Sequence, residues 1–222
     1  MRFLVTAGPT REHIDPVRFL SNPSTGKMGF AVARAAAKAG HEVVLVSGPV
    51  ALSAPRGVRR VDVVSARDML AAVLDELPKA DVLVMTAAVA DWRPRRTAAK
   101  KLKKREMKPV IELVRNPDIL RTVRKSLGAS RAEKVIVGFA AETGEPTAEA
   151  ARKCREKGLD LVVANDVTAK GAGFGTDTNV ASFVSPDGSM ERLPLMSKDA
   201  LAARIVKRAV LWYTVGGMKS RA

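Results

Sequence analysis

Short apolar runs alternate with longer stretches of helical spacing along most of the chain, and this alternation constrains the fold more than any other feature. Residues 3–7 and 43–46 have the composition of buried strands, and the Ala-rich stretch 28–39 has helical periodicity and a C-cap at Gly40. The alternation continues with predicted strands at 61–64, 82–86, 135–139 and 159–164 and predicted helices at 66–77, from about 117, and at 146–157. Such a pattern predicts an α/β domain with a parallel sheet and right-handed crossovers.

The pattern changes near the C-terminus. Residues 180–184 and 191–195 flank Pro186-Asp187-Gly188-Ser189, which is a hairpin signature. An amphipathic helix is predicted over 198–213, and the tail at 216–222 is expected to fray. Because 46% of the residues are hydrophobic, the chain can bury a core without a metal or a disulfide. We therefore predict one domain over residues 1–215 with a C-terminal β-hairpin extension.

The cysteine content and the N-terminus indicate a compartment. Cys154 is the single cysteine and cannot form an internal disulfide, and the first residues read as a strand without a charged leader or a cleavage site. No apolar run approaches the roughly 20 residues that are needed to cross a bilayer. These observations predict a cytoplasmic protein without a membrane partner.

The formal net charge of +15 indicates an anionic partner. Clustered Lys and Arg are typical of nucleic-acid binders, but an aromatic content of 4% provides no stacking platform for bases. A polyphosphate substrate accounts for the charge as well as a nucleic acid does. Nucleic acid is therefore the less favoured partner.

Residues 92–110, called here the basic segment, interrupt the alternation of strands and helices. They contain nine Lys or Arg residues against one acid, Glu106, and are expected to form an exposed and mobile loop. The run Lys101-Leu102-Lys103-Lys104 could fold over a triphosphate and neutralise charge that develops in a transition state. A solvated run of charge is the commoner explanation for such a sequence.

The loops that follow the strands are where an open parallel sheet binds its ligand. The first of these loops, 7–27, is long for a connection between a strand and a helix and is rich in groups that bind anions: Arg11, Arg18, Asn22, Ser24, Thr25, Gly26 and Lys27. Hydroxyls and free backbone amides at a helix start can bind a phosphate, assisted by the helix dipole. An ordinary N-cap explains the same residues, so both interpretations stay open.

Three further side chains have two interpretations each. Asp91 follows an apolar strand and could accept hydrogen bonds from a base or a ribose, or it could shape a turn. Lys153 and Lys157 lie four residues apart on one predicted helical face, so they could converge on one anion or face solvent.

Several classes of chemistry are poorly supported. No His, Cys or carboxylate cluster has the spacing of metal ligands, and His13 and His41 are the only histidines. A dinucleotide-linked reductase is disfavoured because the first loop lacks the G-x-G-x-x-G spacing and the only tyrosine is Tyr213. Cys154 is expected to fill space within a helix. What remains is chemistry by positioning and electrostatics, as in phosphoryl or nucleotidyl transfer.

Eight motifs stand in order along the loops: Thr6-Ala7-Gly8-Pro9-Thr10-Arg11-Glu12, Ile14-Asp15-Pro16-Val17-Arg18, Ser21-Asn22-Pro23-Ser24-Thr25-Gly26-Lys27-Met28-Gly29, Ala87-Ala88-Val89-Ala90-Asp91-Trp92, Lys101-Leu102-Lys103-Lys104, Asn116-Pro117-Asp118-Ile119, Gly138-Phe139-Ala140-Ala141-Glu142-Thr143 and Ala164-Asn165-Asp166-Val167. As an ordered set they resemble the loops of the bacterial phosphopantothenoylcysteine synthetases, and the resemblance covers residues 2 to about 213. Eight motifs in order are far more specific than any one of them alone.

The resemblance implies a Rossmann-like, doubly wound homodimer that joins phosphopantothenate to L-cysteine with CTP, through a phosphopantothenoyl cytidylate and with loss of pyrophosphate. Asn22 would bind the carbonyl of the acyl cytidylate, and Lys101 would be the lysine of a mobile lid needed to form it. The implied nucleotide site comprises Met85, Thr86, Ala87, Asp91, Lys101, Pro117, Asp118, Ile119, Leu120, Phe139, Lys153 and Lys157. The implied phosphate and substrate site comprises Gly8, Arg18, Ser24, Thr25, Gly26 and Lys27.

Other expectations follow from the same resemblance. Mg²⁺ would be held mostly by the triphosphate, because the sequence shows no metal cage. Pro23 stands where many members carry a polar residue, so contacts there would come from the backbone. A flavin-dependent decarboxylase often precedes this domain in bacteria and is an expected partner, as a domain or a subunit. The choice between CTP and ATP rests on a few contacts around Ala87, Asp91 and Phe139.

Overall fold

The structure is a computed structural model that describes residues 1–105, 110–142, 148–166, 168–169, 171–173 and 175–219. Its strands are β1 (Arg2–Ala7), β2 (Arg11–His13), β3 (Phe19–Ser21), β4 (Glu42–Ser47), β5 (Val58–Asp62), β6 (Val82–Met85), β7 (Trp92–Pro94), β8 (Leu113–Arg115), β9 (Val135–Glu142), β10 (Leu161–Asp166), β11 (Thr178–Asn179), β12 (Ala181–Val184), β13 (Met190–Arg192) and β14 (Met196–Ser197). Its α-helices are α1 (Lys27–Lys38), α2 (Ala66–Glu76), α3 (Ile119–Leu127), α4 (Ala148–Lys157) and α5 (Lys198–Lys219). Short 3-10 turns span Leu77–Lys79 and Gly128–Glu133.

An eight-stranded sheet organises the molecule, with the strand order β13-β12-β10-β9-β6-β1-β4-β5. The six strands from β10 to β5 run parallel, and β12 and β13 complete the edge as an antiparallel hairpin. The strand order reverses direction between β1 and β6, as in doubly wound dinucleotide-binding folds. The predicted Rossmann-like, mainly parallel sheet with a C-terminal hairpin is confirmed.

Two apolar layers cover the faces of the sheet. On β1, Phe3 and Val5 pack in one cluster with residues of α1 and α5, while Leu4 packs on the opposite face with residues of α2. Successive side chains of a strand point to opposite faces, so a strand covered by helices on both sides is apolar at every position. That requirement explains the continuous apolar runs in the sequence.

Some boundaries differ from those predicted. The edge strand β5 spans Val58–Asp62 rather than the predicted 61–64. Its register places Val58 opposite Val43 and Arg59 opposite Val44. An edge strand tolerates exposed charge, and Arg59 and Arg60 interrupt the apolar pattern by which a buried strand is predicted. Helix α5 continues to Lys219, beyond the predicted end at 213 and into the tail that was expected to fray, while residues 220–222 lie outside the described residues.

The basic segment does not begin as a loop. Its first residues form β7, which pairs with β8 in an antiparallel ribbon that places Trp92 opposite Arg115. Residues 106–109 of the segment lie outside the described part of the chain, as do Thr143 and Val167 of the matching motifs. Within the described ranges, none of the helices is long and apolar enough to span a membrane.

Candidate active site

The loops after β1 and β6 join at the point where the strand order reverses. Ala88 N donates to Gly8 O at 2.9 Å, Thr10 N donates to Ala88 O at 3.4 Å, and Ala90 N donates to Thr10 Oγ1 at 3.0 Å. Two adjoining cavities open beside this junction, of about 640 and 520 Å³. We call them the first and the second cavity. Their position beyond the carboxyl ends of parallel strands is where open α/β sheets bind ligands.

The first cavity brings together most of the implied nucleotide site. The residues from that site that line it are Met85, Ala87, Asp91, Pro117, Asp118, Ile119, Leu120, Phe139 and Lys157. Lys157 Nζ lies 3.1 Å from Asp118 Oδ2, and Asp118 also caps α3 by accepting from Arg121 N at 3.1 Å. The structure therefore places sequence segments from three different βα loops around one cavity of a size that suits a small ligand.

Asn116 fixes the turn that carries Asp91. Asn116 N donates to Asp91 O at 2.8 Å, and its Nδ2 donates to Ala90 O at 2.8 Å. The Asp91 side chain is exposed, and no hydrogen bond to it is present among the described residues, so its carboxylate can accept from a ligand. Asn116 was not among the predicted site residues, although it begins one of the matching motifs.

The second cavity contains most of the remaining predicted residues, while Gly8, Arg18 and Lys101 line neither cavity. Asn22, Ser24, Thr25, Gly26, Lys27, Thr86 and Lys153 line it, and Ala87, Asp91, Phe139 and Lys157 are shared with the first cavity. The two cavities are therefore continuous at the end of β6.

Helix α1 begins at the second cavity without a side-chain cap. Its N-cap is Gly26, with a φ of 79° that favours glycine, so the ordinary side-chain N-cap considered for Ser24 and Thr25 is not formed. The first backbone N–H groups of α1 thus remain available to an anion. Gly8 also has a positive φ, of 74°, and a Cβ on it would lie 3.0 Å from Gly48 O, so this position favours glycine as well.

Asn22 connects the two loops. Its Nδ2 donates to Ala88 O at 3.1 Å and to Val89 O at 3.3 Å, so both amide hydrogens are engaged. A carboxamide nitrogen has two donors, and Asn22 can therefore donate to a ligand only by exchanging one of these bonds.

Lys27 is turned toward the wall of the second cavity. Its Nζ donates to Asp177 Oδ1 at 2.7 Å and to Gly175 O at 3.1 Å. The hydrogen bond and the charge of Lys27 hold the pKa of Asp177 below its usual value. Lys198, which is buried, donates from Nζ to Gly173 O at 3.0 Å and also to Thr176 O. The two lysines together fasten the described residues of the glycine-rich stretch 173–177 to the starts of α1 and α5.

Arg18 does not line either cavity. It pairs with Asp15, whose side chain has no exposed surface, and Arg18 Nε donates to Asp15 Oδ2 at 3.0 Å. The Arg18 guanidinium and the N–H groups of Val17, Leu102 and Arg18 hold the pKa of Asp15 well below its usual range. Arg18 also donates from Nη2 to Leu102 O at 3.1 Å.

Lys101 is exposed and lies outside both cavity linings. The neighbouring residue Leu102 is tied down, because its N–H donates to Asp15 Oδ2 at 3.2 Å. Ala98 N donates to Ile14 O at 2.9 Å, and Thr97 Oγ1 donates to His13 O at 2.9 Å. The described part of the basic segment is thus fastened along the turn between β2 and β3, with Lys101 beside the last attachment.

Neither covalent catalysis nor a protein metal cage is indicated in the described residues. Burial raises the pKa of the Cys154 thiol to about 11, and its Sγ donates to Leu159 O at 3.3 Å, so it fills space as predicted. No group of three or more His, Cys, Asp or Glu side chains converges within the described ranges. Both cavities instead offer single carboxylates, amides and lysines.

Two asparagines and a lysine in the second cavity were missed by the sequence analysis. Asn165, Asn179 and Lys198 line it together with the predicted residues. Asn165 belongs to a matching motif and could have been chosen from it. Asn179 and Lys198 carry no sequence signal, because they reach the cavity from the C-terminal hairpin region and from the start of α5.

The chain is similar to known proteins over nearly its whole length. The family model of the DNA/pantothenate metabolism flavoprotein C-terminal domain matches residues 1–211. The coenzyme A biosynthesis bifunctional protein CoaBC of Bacillus subtilis is 50% identical over 196 residues, which are 88% of this chain and 47% of that protein. CoaBC of Mycobacterium tuberculosis is 47% identical over 217 residues, which are 94% of this chain and 52% of that protein. The chain therefore spans about half the length of these relatives.

Solved structures give the same result. The crystal structure of the C-terminal domain of CoaBC is 45% identical, with a TM-score of 0.78 and coverage of 95% of this chain and 96% of that one. The DNA/pantothenate metabolism flavoprotein from Streptococcus pneumoniae shares the fold at 21% identity, with a TM-score of 0.80 and coverage of 96% and 99%. These likenesses confirm the family resemblance drawn from the motifs, and the chain belongs to the family of DNA/pantothenate metabolism flavoprotein C-terminal domains.

Proposed function

We propose that the chain is a phosphopantothenate–cysteine ligase that uses CTP in coenzyme A biosynthesis. Its relatives are named for coenzyme A biosynthesis, and the chain matches the half of them that forms the C-terminal domain. The observation that carries the proposal is the pair of continuous cavities at the strand-order reversal, one lined by the implied nucleotide residues and the other by an uncapped helix start and several lysines. Such a site can hold a nucleotide and an anionic acid side by side.

The reaction needs no enzyme nucleophile. A carboxylate oxygen of 4'-phosphopantothenate attacks the α-phosphorus of CTP, and pyrophosphate leaves with the bonding electrons. The cysteine amine then attacks the acyl carbon of the phosphopantothenoyl cytidylate, the bond from that carbon to the phosphate oxygen breaks, and CMP leaves as the nitrogen loses one proton to solvent. Both steps gain from positioned groups that stabilise developing negative charge.

The nucleoside would lie in the first cavity. Asp91 offers a free carboxylate to the base or the ribose, and Phe139 and Leu120 provide apolar surface beside it. Lys153 and Lys157 lie at the junction with the second cavity, where the phosphates would pass. Mg²⁺ fits this donor set as an ion held mostly by the triphosphate, since the described residues offer single carboxylates and no cage. When bound, the ion would neutralise phosphate charge.

Asn22 and Lys101 would act in different half-reactions. Asn22 lines the second cavity and is bonded to the loop 86–91, and exchange of its bond to Ala88 O would let it donate to the acyl carbonyl. Lys101 stands next to the fastened Leu102 on the basic segment. Movement of this segment toward the cavities would bring a cation to the polyphosphate and assist formation of the cytidylate.

A homodimer is part of the proposal. Apolar side chains are exposed on the two small ribbons formed by β2–β3 and β7–β8 and on the residues beside them, with Val17 58%, Phe19 40%, Trp92 46%, Val110 75%, Ile111 36% and Leu113 41% exposed. A cluster of exposed apolar residues of this kind is typical of an interaction surface. The bifunctional names of the relatives suggest a second partner, a decarboxylase domain or subunit.

The direct test is pyrophosphate release with phosphopantothenate, Mg²⁺ and either CTP or ATP, with and without cysteine. We expect turnover with CTP, loss of pyrophosphate release in Lys101→Gln, and accumulation of the cytidylate without the cysteine product in Asn22→Asp. Lys100→Gln is the matched control, because it removes the neighbouring charge of the same segment. Wild-type protein that releases no pyrophosphate with either nucleotide would show the proposal to be wrong, and salt-sensitive binding to duplex DNA would then favour a nucleic-acid-binding module.

A further inference from the structure

Two buried carboxamide oxygens at the second cavity have no hydrogen-bond donor. Asn165 and Asn179 both line this cavity, and Asn179 is only 3% exposed. The Oδ1 atom of each is buried and unpartnered among the described residues. Native proteins pair nearly all buried polar atoms, so two orphaned oxygens beside one cavity require an explanation.

The two side chains lie on the same face of the sheet. Asn165 is opposite Ala181 in the β10–β12 register, and the ladder continues one step further, where Asp166 N donates to Val180 O at 3.0 Å. Asn179 precedes Val180, so it is a diagonal neighbour of Asn165. Diagonal neighbours are about 7–8 Å apart, which leaves room for one ligand atom between two asparagine side chains.

Two lysines lie beside this pair, and one of them, Lys27, is paired with Asp177. Lys27 and Lys198 line the same cavity, and the uncapped start of α1 adds the positive end of a helix dipole. Lys198 is 6% exposed, and burial together with the charge of Lys27 lowers its pKa. A ligand here must therefore combine an anionic group, which the lysines attract, with hydrogen-bond donors for the asparagines.

We infer that Asn165 and Asn179 form the subsite for the amine of the amino-acid substrate, whose carboxylate lies toward Lys198. A hydroxyl or an amide N–H of the acid substrate brings one donor, whereas a neutral amine brings two on a single atom and can satisfy both oxygens. The Oδ1 atoms of Asn165 and Asn179 carry no charge, and Lys198 lies beside the same cavity. Because nearby positive charge lowers the pKa of an ammonium group, this site favours the uncharged amine. The uncharged amine is the form that attacks the acyl carbon. This inference rests on the proposed ligase function and names how the second substrate is held.

The test separates the two half-reactions in the full chain. Asn165→Leu and Asn179→Leu keep the approximate volume of the side chain and remove the oxygen. We expect each to raise the KM for cysteine about tenfold, the effect of losing one hydrogen bond in a buried site, and to change the single-turnover rate of pyrophosphate release without cysteine by a smaller factor. Ser182→Ala is the matched control, since Ser182 is buried on the same edge of the sheet but does not line either cavity.

A conservative variant distinguishes a role in binding cysteine from a purely structural role. Asn179→Asp keeps an accepting oxygen, so we expect the KM for cysteine to be largely restored, with the pH optimum of the cysteine-dependent step shifted upward because a carboxylate favours the ammonium form. The inference is overturned by an unchanged KM for cysteine, by equal loss of both half-reactions, or by a rise in the KM for phosphopantothenate alone. Absence of pyrophosphate release in the wild type would instead refute the proposed function.

Discussion

Asp15 shows how one residue can connect distant parts of the chain. It is a carboxylate without exposed surface, and it accepts from the backbone N–H of Val17 at 2.8 Å and from that of Leu102 at 3.2 Å, in addition to its pair with Arg18. Burial of a charge is costly unless it is paired and hydrogen-bonded, and Asp15 has both kinds of partner. It therefore fixes the turn between β2 and β3 and the basic segment relative to each other.

Asp15→Asn should lower the urea midpoint of unfolding at pH 7. Because the folded protein holds the pKa of Asp15 below its ordinary value, the stabilisation is fully present above that ordinary value, near 4, and is lost as the pH falls toward the lowered one. The difference between variant and wild type should thus narrow in acid. Asp62→Asn, at an exposed position, is the control, and a difference that is independent of pH would contradict the account.

Gly29 is a position where helix α1 touches the sheet. A Cβ there would lie 2.5 Å from Ala7 Cβ and 2.8 Å from Thr6 O, distances that no side chain tolerates. Gly29→Ala should therefore destabilise the fold by about 1–3 kcal/mol, measured by urea unfolding, because the helix must shift away from β1 and β6. Gly175→Ala is the control, since a Cβ at that position meets nothing within 4 Å. Equal stability of the two variants would argue against this close contact.

Among the helices, α2 begins with a capping box formed by residues close together in the sequence. Ser65 Oγ accepts from Asp68 N at 3.2 Å and Asp68 Oδ2 accepts from Ser65 N at 2.8 Å, which is a capping box. We expect Ser65→Ala to reduce the free energy of unfolding by about 1 kcal/mol. Ser53→Ala, at an exposed loop position, should have little effect in the same urea titration, and a similar loss in both would rule out the capping explanation.

Helix α1, unlike α2, begins without a side-chain cap. Its N-cap Gly26 leaves the first backbone N–H groups open at the second cavity, whereas Ser65 closes those of α2. An uncapped helix start lowers stability locally but creates a place where an anion can bind. The two helix starts differ in backbone conformation as well, because Gly26 is left-handed and Ser65 is extended.

At the scale of the whole molecule, the exposed apolar residues of the β2–β3 and β7–β8 ribbons predict self-association. Leu113→Glu would place a charge in this surface, where Leu113 is 41% exposed, and should convert a dimer to a monomer in sedimentation velocity. Leu211→Glu is the matched control, because Leu211 is 55% exposed on α5, away from both ribbons. A wild type that sediments as a monomer at all concentrations would contradict the proposed homodimer.

The fold class and most elements around the central sheet could be predicted from local sequence patterns. Strands covered on both faces must be apolar throughout, and helices on the faces must show helical periodicity, so β1, β4, β6 and β9 and the helices between them could be predicted from local pattern. The sequence also predicted that the loops after these strands lie close together, because such loops meet at one edge of a parallel sheet. Both signals are carried by residues close together in the chain.

Contacts between residues that are far apart in the sequence could be seen only in the folded structure. Leu102, which donates to Asp15, is 87 residues away in the sequence, and Ala88, which accepts from Asn22, is 66 residues away. Asn179 and Lys198 reach the second cavity from elements that carry no motif. Strand β5 was misplaced for a related reason, since an edge strand needs only half of its surface buried. Contacts of this kind depend on the spatial order of the strands in the sheet, and no local pattern of side chains encodes that order.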